Sequence, residues 1–234
     1  MLNYNILHVI RDLSEGLLYT CLLFFVTLLA SLPLGLIISF GSMSKNKLIS
    51  RVTRAFVWVI RGTPLMLQIL IFDTGPGLVF ALLEKEFGIS IPSFLYVREM
   101  WKHFMMVSLA FSVNYACYFS EIYRGGIQSV PHGQYEAASV LGMTRKQTFF
   151  KVILLQVVKR IVAPMSNEII TLVKDTALAS VVIHIDLMTV AKNLANVNAA
   201  IEIMFYAGIY YLIFNGILTI LLGKLEKKLD YFKV

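Results

Sequence analysis

Charge-free stretches punctuate the chain at wide intervals. From Gly16 to Ser44 there are 29 residues without Asp, Glu, Lys, Arg or His, and Ile203 to Gly223 gives another 21. As a helix the first run is about 44 Å long, more than the roughly 30 Å hydrocarbon core of a bilayer. Phe104 to Ser120 adds 17 uncharged residues. Long apolar runs favour helices over a barrel, whose strands alternate about every ten residues. The pattern predicts an all-α membrane protein with five spans: about 16–40, 55–72 (interrupted by Arg61), 104–120, 152–173 (carrying Lys159, Arg160 and Glu168) and 203–222. No repeat of 20–50 residues interrupts it, and residues 1–234 read as a single transmembrane domain.

Composition agrees. The 234 residues are 58% apolar and 15% charged, against roughly 25% charged in an average soluble domain. The net charge of +7 would suggest nucleic acid in a soluble chain, but its placement has a better explanation. The segments 41–54, 121–160 and 223–234 fall on one side of a five-span chain and hold fourteen basic residues; the segments 1–15, 73–103 and 174–195 hold six. Basic loops stay in the cytoplasm. The N-terminus is therefore expected outside and the C-terminus inside, with the bilayer as partner and no nucleic acid. The first ten residues contain no Lys or Arg, so the first span is read as retained rather than cleaved. On the outer side, Gly75-Pro76-Gly77 reads as a turn, and Phe94, Tyr96 and Trp101 as interfacial aromatics. Cys21 and Cys117, both in apolar runs, read as small packing residues. The four histidines (His8, His103, His132, His184) form no ligand pair, and no metal site is expected.

Ionisable residues inside a span cost roughly 2.5–3.5 kcal/mol each. Glu202, at the outer edge of the last span, is read as snorkelling. Arg61 is open between snorkelling and function. Glu168, in Asn167-Glu168 after Pro164, needs a partner or a water-filled cavity. Pro64 and Pro164 each remove an amide donor and free the carbonyls of Ile60 and Arg160. Such backbone is tolerated at membrane depth where it lines a cavity, and interrupted spans point to a transport site. Thr63, Gln68, Asn167 and Glu168 are the candidate lining of a polar solute pathway. In the cytoplasmic segment 121–151, Gln134 to Leu141 reads as a short helix that Gly142 breaks, and Thr144 caps a second one, Arg145 to Phe150. Two short helices joined at a glycine make a docking element, or an amphipathic hairpin that touches only lipid. No G-x-x-x-x-G-K-[S/T] loop exists, since Gly223-Lys224 is followed by Leu225. No nucleophile elbow or dinucleotide loop exists either, so the chain is not read as an enzyme.

These residues resemble a known family. Glu136-Ala137-Ala138, then Gly142, then Ile153-Leu154, is similar to the EAA loop of ABC-importer permeases. Arg61-Gly62-Thr63-Pro64-Leu65 with Gln68, Glu121-Ile122-Tyr123-Arg124-Gly125-Gly126-Ile127 with Gly133-Gln134, Asn167-Glu168, and Lys174-Asp175-Thr176-Ala177-Leu178 narrow the resemblance to the polar amino-acid permeases. It runs from about residue 13 to the C-terminus. Leu155 stands where proline is usual, Ala177 where serine is, Ser120 where alanine is, and the outer loop 73–103 is long.

The resemblance implies a permease subunit of an ATP-driven amino-acid importer in the bacterial inner membrane. It implies a second permease, identical or homologous, two cytoplasmic ATPase subunits that bind ATP and magnesium, and an extracytoplasmic amino-acid-binding protein. This chain itself would hold no cofactor. It makes Glu136, Ala137, Ala138 and Gly142 the contact with the ATPase, and Arg61, Gly62, Pro64, Lys174, Asp175 and Thr176 gate or structural positions. An ATPase-independent secondary transporter or channel is the competing reading. Glu168 could hold either an α-amino group or a cationic side chain, a mild preference for a basic amino acid, and the sequence does not say which one is carried.

Overall fold

The computed structural model describes residues 5–88, 99–183 and 185–229. Helix α1 (Ile6–Ser42) starts at Asn5, whose side chain accepts from the Leu7 amide at 3.0 Å. It continues through Pro33 for 37 residues, about 55 Å of helix. Its buried face is rich in small residues. Gly16, Thr20, Thr27, Ser31, Gly35, Ser39 and Ser42 are buried alongside Val9, Leu13, Leu23 and Phe24, while Leu18, Phe25, Leu29, Ile37 and Phe40 are exposed. In lipid no hydrophobic force draws helices together, so small residues that allow close approach mark the contact face. A Cβ on Gly35 would lie 2.9 Å from the Ala116 carbonyl oxygen and from Phe119 Cβ, so any side chain there would push α1 off its neighbour α4.

That neighbour, α4 (Glu99–Gln128), is the centre of the molecule. Val107, Ala110, Phe111, Tyr115, Ala116, Cys117 and Phe119 are buried, with Ser112, Asn114 and Ser120 among them. Against it pack α1, α2 (Lys47–Gly62), α3 (Leu65–Phe87) and α7 (Leu154–Asp175). Between α4 and α7 lie the short helices α5 (His132–Val140) and α6 (Arg145–Thr148), the latter continuing through a π turn (Phe149–Ile153) into α7. After α7 the backbone tightens into a 3₁₀ turn (Thr176–Val181), and α8 (Leu187–Val197) and α9 (Glu202–Leu229) follow. The chain is all-helical among the described residues, and α1, α3 and α9 are long and apolar enough to cross a membrane by length and composition. Both cysteines are free thiols.

Three sequence expectations need correcting. The segment 55–72 is not one span: α2 ends at Gly62 and α3 starts at Leu65, because Thr63 is extended (φ −112°, ψ 146°) ahead of a proline that disfavours helix. The Gly75-Pro76-Gly77 triplet is no turn but sits inside α3, which runs on to Phe87 and ends at Gly88 with φ 64°. The 73–103 loop is correspondingly mostly helix, and Trp101 belongs to α4; Phe94 and Tyr96 lie outside the described residues, as does His184. Segment 174–195, assigned only to the outer side from the sequence, contains most of a further helix, α8. Asp186 caps α8 by accepting from the Met188 and Thr189 amides at 3.0 and 3.3 Å, and α8 packs Leu187 and Ala191 against Val9, Leu13, Ile203 and Ala207.

Candidate functional site

Pro64 sets the geometry of the site. With no amide donor at Pro64, the Ile60 carbonyl lacks its helical partner. Gln68, one turn into α3 and 5% exposed, supplies the missing donor: its Nε2 lies 2.7 Å from the Ile60 oxygen, 2.7 Å from Thr63 Oγ1 and 3.2 Å from the Thr63 carbonyl. Thr63 Oγ1 in turn donates back toward the Val59 carbonyl, 3.0 Å away. The Gln68 Oε1 accepts from Asn114 Nδ2 of α4 at 3.0 Å. The helix break is thus stapled to α4. Thr63 and Gln68 spend their polar atoms on this staple, as a buried polar network must. Gly62 faces open space.

Arg61 leaves the same break in the other direction. Its guanidinium carbon stands 4.9 Å over the Tyr118 ring, and Nη1 lies 3.9 Å from Glu121 Oε2. Glu121 is also held by Arg124, with Nε 3.0 Å from Oε1. With 41% of the Arg61 side chain exposed, the ion pair contributes less than about 1 kcal/mol, and the aromatic face adds a contribution of similar size. Neither open reading of Arg61 is complete without this clasp between α2 and α4.

On α7, Pro164 is accommodated inside the helix, and Asn167 is exposed. Glu168 is half-buried, with Arg61 and Asp175 as its charged neighbours. Among the described residues no hydrogen bond occupies its carboxylate. Two turns further on, Asp175 Oδ2 accepts from the hydroxyl of Tyr115 at 2.6 Å. Thr176 is buried and donates to the Val173 carbonyl at 2.6 Å, whereas Lys174 is exposed. Consecutive residues of α4 therefore hold two helix ends: Asn114 the α2–α3 junction, Tyr115 the end of α7. The sequence reading missed both. The only available signal was an Asn inside an otherwise charge-free run.

The coupling segment is built as a helix–turn–helix. Gly142 has φ 71°, a conformation that side chains resist. The Gly142 amide donates to the Ser139 carbonyl at 2.9 Å and the Met143 amide to Ala138 at 3.0 Å, the paired bonds of a Schellman ending. Thr144 and Gln147 then form a reciprocal capping box at the start of α6. Along α5 the two alanines separate. Ala137 is exposed, beside Glu136; Ala138 is 3% exposed and packs within the chain. Val140 and Leu141 are 87% and 78% exposed. They complete the outward face and were not singled out from the sequence.

A further pair joins α3 to α4: His103 Nδ1 lies 2.6 Å from Asp73 Oδ1, with Asp73 buried. The sequence reading paired no histidine. Among the described residues no group of three His, Cys, Asp or Glu could hold a metal ion.

Comparison with known proteins places this geometry. Residues 31–231 match the family described as the inner membrane component of binding-protein-dependent transport systems. The chain is 34% identical over 220 residues to the arginine ABC transporter permease protein ArtM of Haemophilus influenzae, covering 94% of this chain and 92% of that one. It is 34% identical over 222 residues to the L-cystine transport system permease protein TcyB of Bacillus subtilis, covering 94% and 87%. Among solved structures, one of an amino acid ABC transporter with histidines superposes with a TM-score of 0.78 at 30% identity, covering 95% of this chain and 96% of that one. The inward-facing MetNI methionine ABC transporter shares the fold, with a TM-score of 0.65 at 18% identity.

Proposed function

Because the chain belongs to the family of inner-membrane components of binding-protein-dependent transport systems, we propose that it forms half of the pathway by which an ATP-driven complex imports a polar amino acid. It is a permease subunit of an ABC amino-acid uptake system, not the ATPase. This sets aside the secondary-transport reading. The five spans of the proposal are α1, α3, α4, α7 and α9. Glu121 of α4 and Asp175 of α7 are held by neighbouring side chains, Arg61 with Arg124 and Tyr115 respectively, the pairing that lets intramembrane charge be tolerated. The N-terminus is outside, and the α5–α6 segment cytoplasmic. A second permease subunit, two ATPase subunits and an extracytoplasmic binding protein complete the assembly.

The observation that carries the reading is the Glu168 carboxylate. It is half-buried on α7, which runs on through Pro164 rather than breaking there as the sequence suggested, and no hydrogen bond within the described chain uses it. A carboxylate kept in this state suits the ammonium group that every amino acid carries, and equally a cationic side chain. Asn167, exposed one residue earlier, adds a donor and an acceptor. Thr63 and Gln68 act at the pathway through the shape of the break, with Arg61, Gly62, Pro64, Asp175 and Thr176 holding the helix ends around it and Lys174 exposed at the end of α7. Glu136, Ala137 and Gly142 present the coupling face, with Ala138 behind them.

Alternating access then needs a partner that binds the two states differently. The purified chain by itself is expected to hydrolyse no ATP and to move no amino acid, because it has no phosphate-cradling loop. ATP turnover by the chain, purified free of any ATPase subunit, would overturn the assignment.

A further inference from the structure

We propose that α2 lies along the membrane surface and binds the headgroups of anionic phospholipids on one basic edge. It is none of the five spans. It has 16 residues, about 24 Å of helix, with Lys47, Arg51, Arg54 and Arg61 spread along it. Both of its ends are tied to the rim of the bundle. Ser50 Oγ donates to the Ser42 carbonyl at the end of α1, 2.7 Å away. Arg61 stands beside Glu121 of α4, and α4 runs only to Gln128, about 10 Å further. A helix more than twice that length, held at both ends near the rim, runs along it rather than across the membrane.

The side of α2 turned away from the bundle carries two adjacent stripes. Lys47, Arg51 and Trp58, spaced i, i+4 and i+11, share one line. Leu48, Val52 and Val59 repeat the spacing one residue on, about 100° round the helix. All six are exposed, Trp58 by 77%, whereas Val57 on the opposite side is buried. Among the described residues neither Lys47 nor Arg51 has a hydrogen bond or ion pair through its side chain. Arg54, by contrast, donates to the Ser42 carbonyl at 3.1 Å, and Arg61 is held by Glu121. From Gly16 to Phe72 the chain has no Asp or Glu, so the counter-charge comes from outside this segment. A protein covering this face would have to bring acids to the cations and an apolar groove to the stripe beside them. The membrane surface supplies both: headgroup phosphates for the cations, and the acyl boundary for the apolar stripe. An indole in line with the cations suits the same level. The choice of leaflet rests on the orientation proposed above; the depth of α2 and its lipid preference do not.

The test reads the fluorescence of Trp58 in the full chain. Trp101→Phe leaves it as the one tryptophan. The chain is reconstituted in vesicles of equal phosphatidylglycerol and phosphatidylcholine, one of the two brominated, on either the upper or the terminal carbons of its acyl chains. Upper-carbon bromines are expected to quench Trp58 more than terminal ones, and brominated phosphatidylglycerol more than brominated phosphatidylcholine. K47Q with R51Q should cut the relative affinity for phosphatidylglycerol by about 25-fold, fivefold for each residue, the factor equivalent to about 1 kcal/mol per basic residue. The charge-conserving pair K47R with R51K should keep the preference. K85Q, on α3 between Glu84 and Glu86, should leave it unchanged. Stronger quenching by the terminal bromines would make α2 part of a span. Quenching by neither lipid would mean that a protein covers the face. Either result overturns the proposal, and so does equal quenching by the two lipids, an unchanged preference in the double Gln variant, a preference lost in K47R with R51K, or one lost in K85Q. None of these readouts needs ATP, an amino acid or a fixed orientation, so a failure of the transport reading leaves them standing.

Discussion

Replacing Ala137 with Trp, or Gly142 with Val, is expected to leave the chain in the membrane and to abolish ATP-driven uptake. Both residues sit at the coupling segment, and they act by different routes. Ala137 is exposed, so the folded chain accommodates an indole there. A partner groove shaped around a methyl group does not, and overpacking a close contact costs about 1–3 kcal/mol. That weakens docking by roughly 5- to 150-fold. Gly142 acts through the turn. At φ 71° a β-branched residue is strained, so Val there unwinds the Schellman ending and turns Glu136, Val140 and Leu141 away from their common face. Co-purification of the ATPase with each variant is the measurement. If the segment were only an interfacial hairpin, Trp at position 137 would strengthen membrane contact and leave transport normal. Normal ATPase retention and normal uptake in both variants would sink the docking assignment.

Glu168→Gln is expected to weaken amino-acid uptake by about 10- to 150-fold in apparent affinity, while the complex assembles as before. The factor follows from losing one charge-assisted hydrogen bond, roughly 1.5–3 kcal/mol. Gln has the same length, so the packing of α7 changes little. The carboxylate ties no other helix in place through a hydrogen bond, in contrast to Asp175, which holds Tyr115. Concentration dependence of uptake in proteoliposomes, beside gel filtration of the assembled complex, separates the two effects. Wild-type affinity in the Gln variant would remove Glu168 from the pathway.

Local chemistry was legible in the sequence and tertiary chemistry was not. The proline at 64, the glycine at 142 and the threonine at 144 each act on backbone within a few residues. The break, the positive φ and the cap could therefore be read from residue type and spacing. The segment 55–72 was drawn as one span by its apolar content, across the Pro64 break that the same reading had recognised, and the structure ends α2 there. Gly75-Pro76-Gly77 failed as a turn signal because, within a helix that long, one lost bond is tolerated. Helix α8 was passed over although Asp186 and the spacing of Leu187, Val190, Ala191 and Leu194 carried its signature. What no spacing rule could reach were the contacts over 46 and 60 residues, Asn114 with Gln68 and Tyr115 with Asp175. The same holds for which of two adjacent alanines faces outward. Helix α1 makes the point differently: large apolar residues lie on both its buried and its exposed sides, so apolar spacing does not mark the contact face, whereas its glycines, serines and Thr20 and Thr27 do.

The central claim is that this chain is a solute pathway whose movement is driven by an ATPase docked on the α5–α6 turn. The most direct test is uptake of a panel of radiolabelled amino acids into proteoliposomes. They hold the chain with its ATPase, and the binding protein is supplied outside. Accumulation of at least one of them is predicted with ATP inside, and none without ATP or with the ATPase left out. Uptake at the same rate with neither ATP nor the ATPase would contradict it.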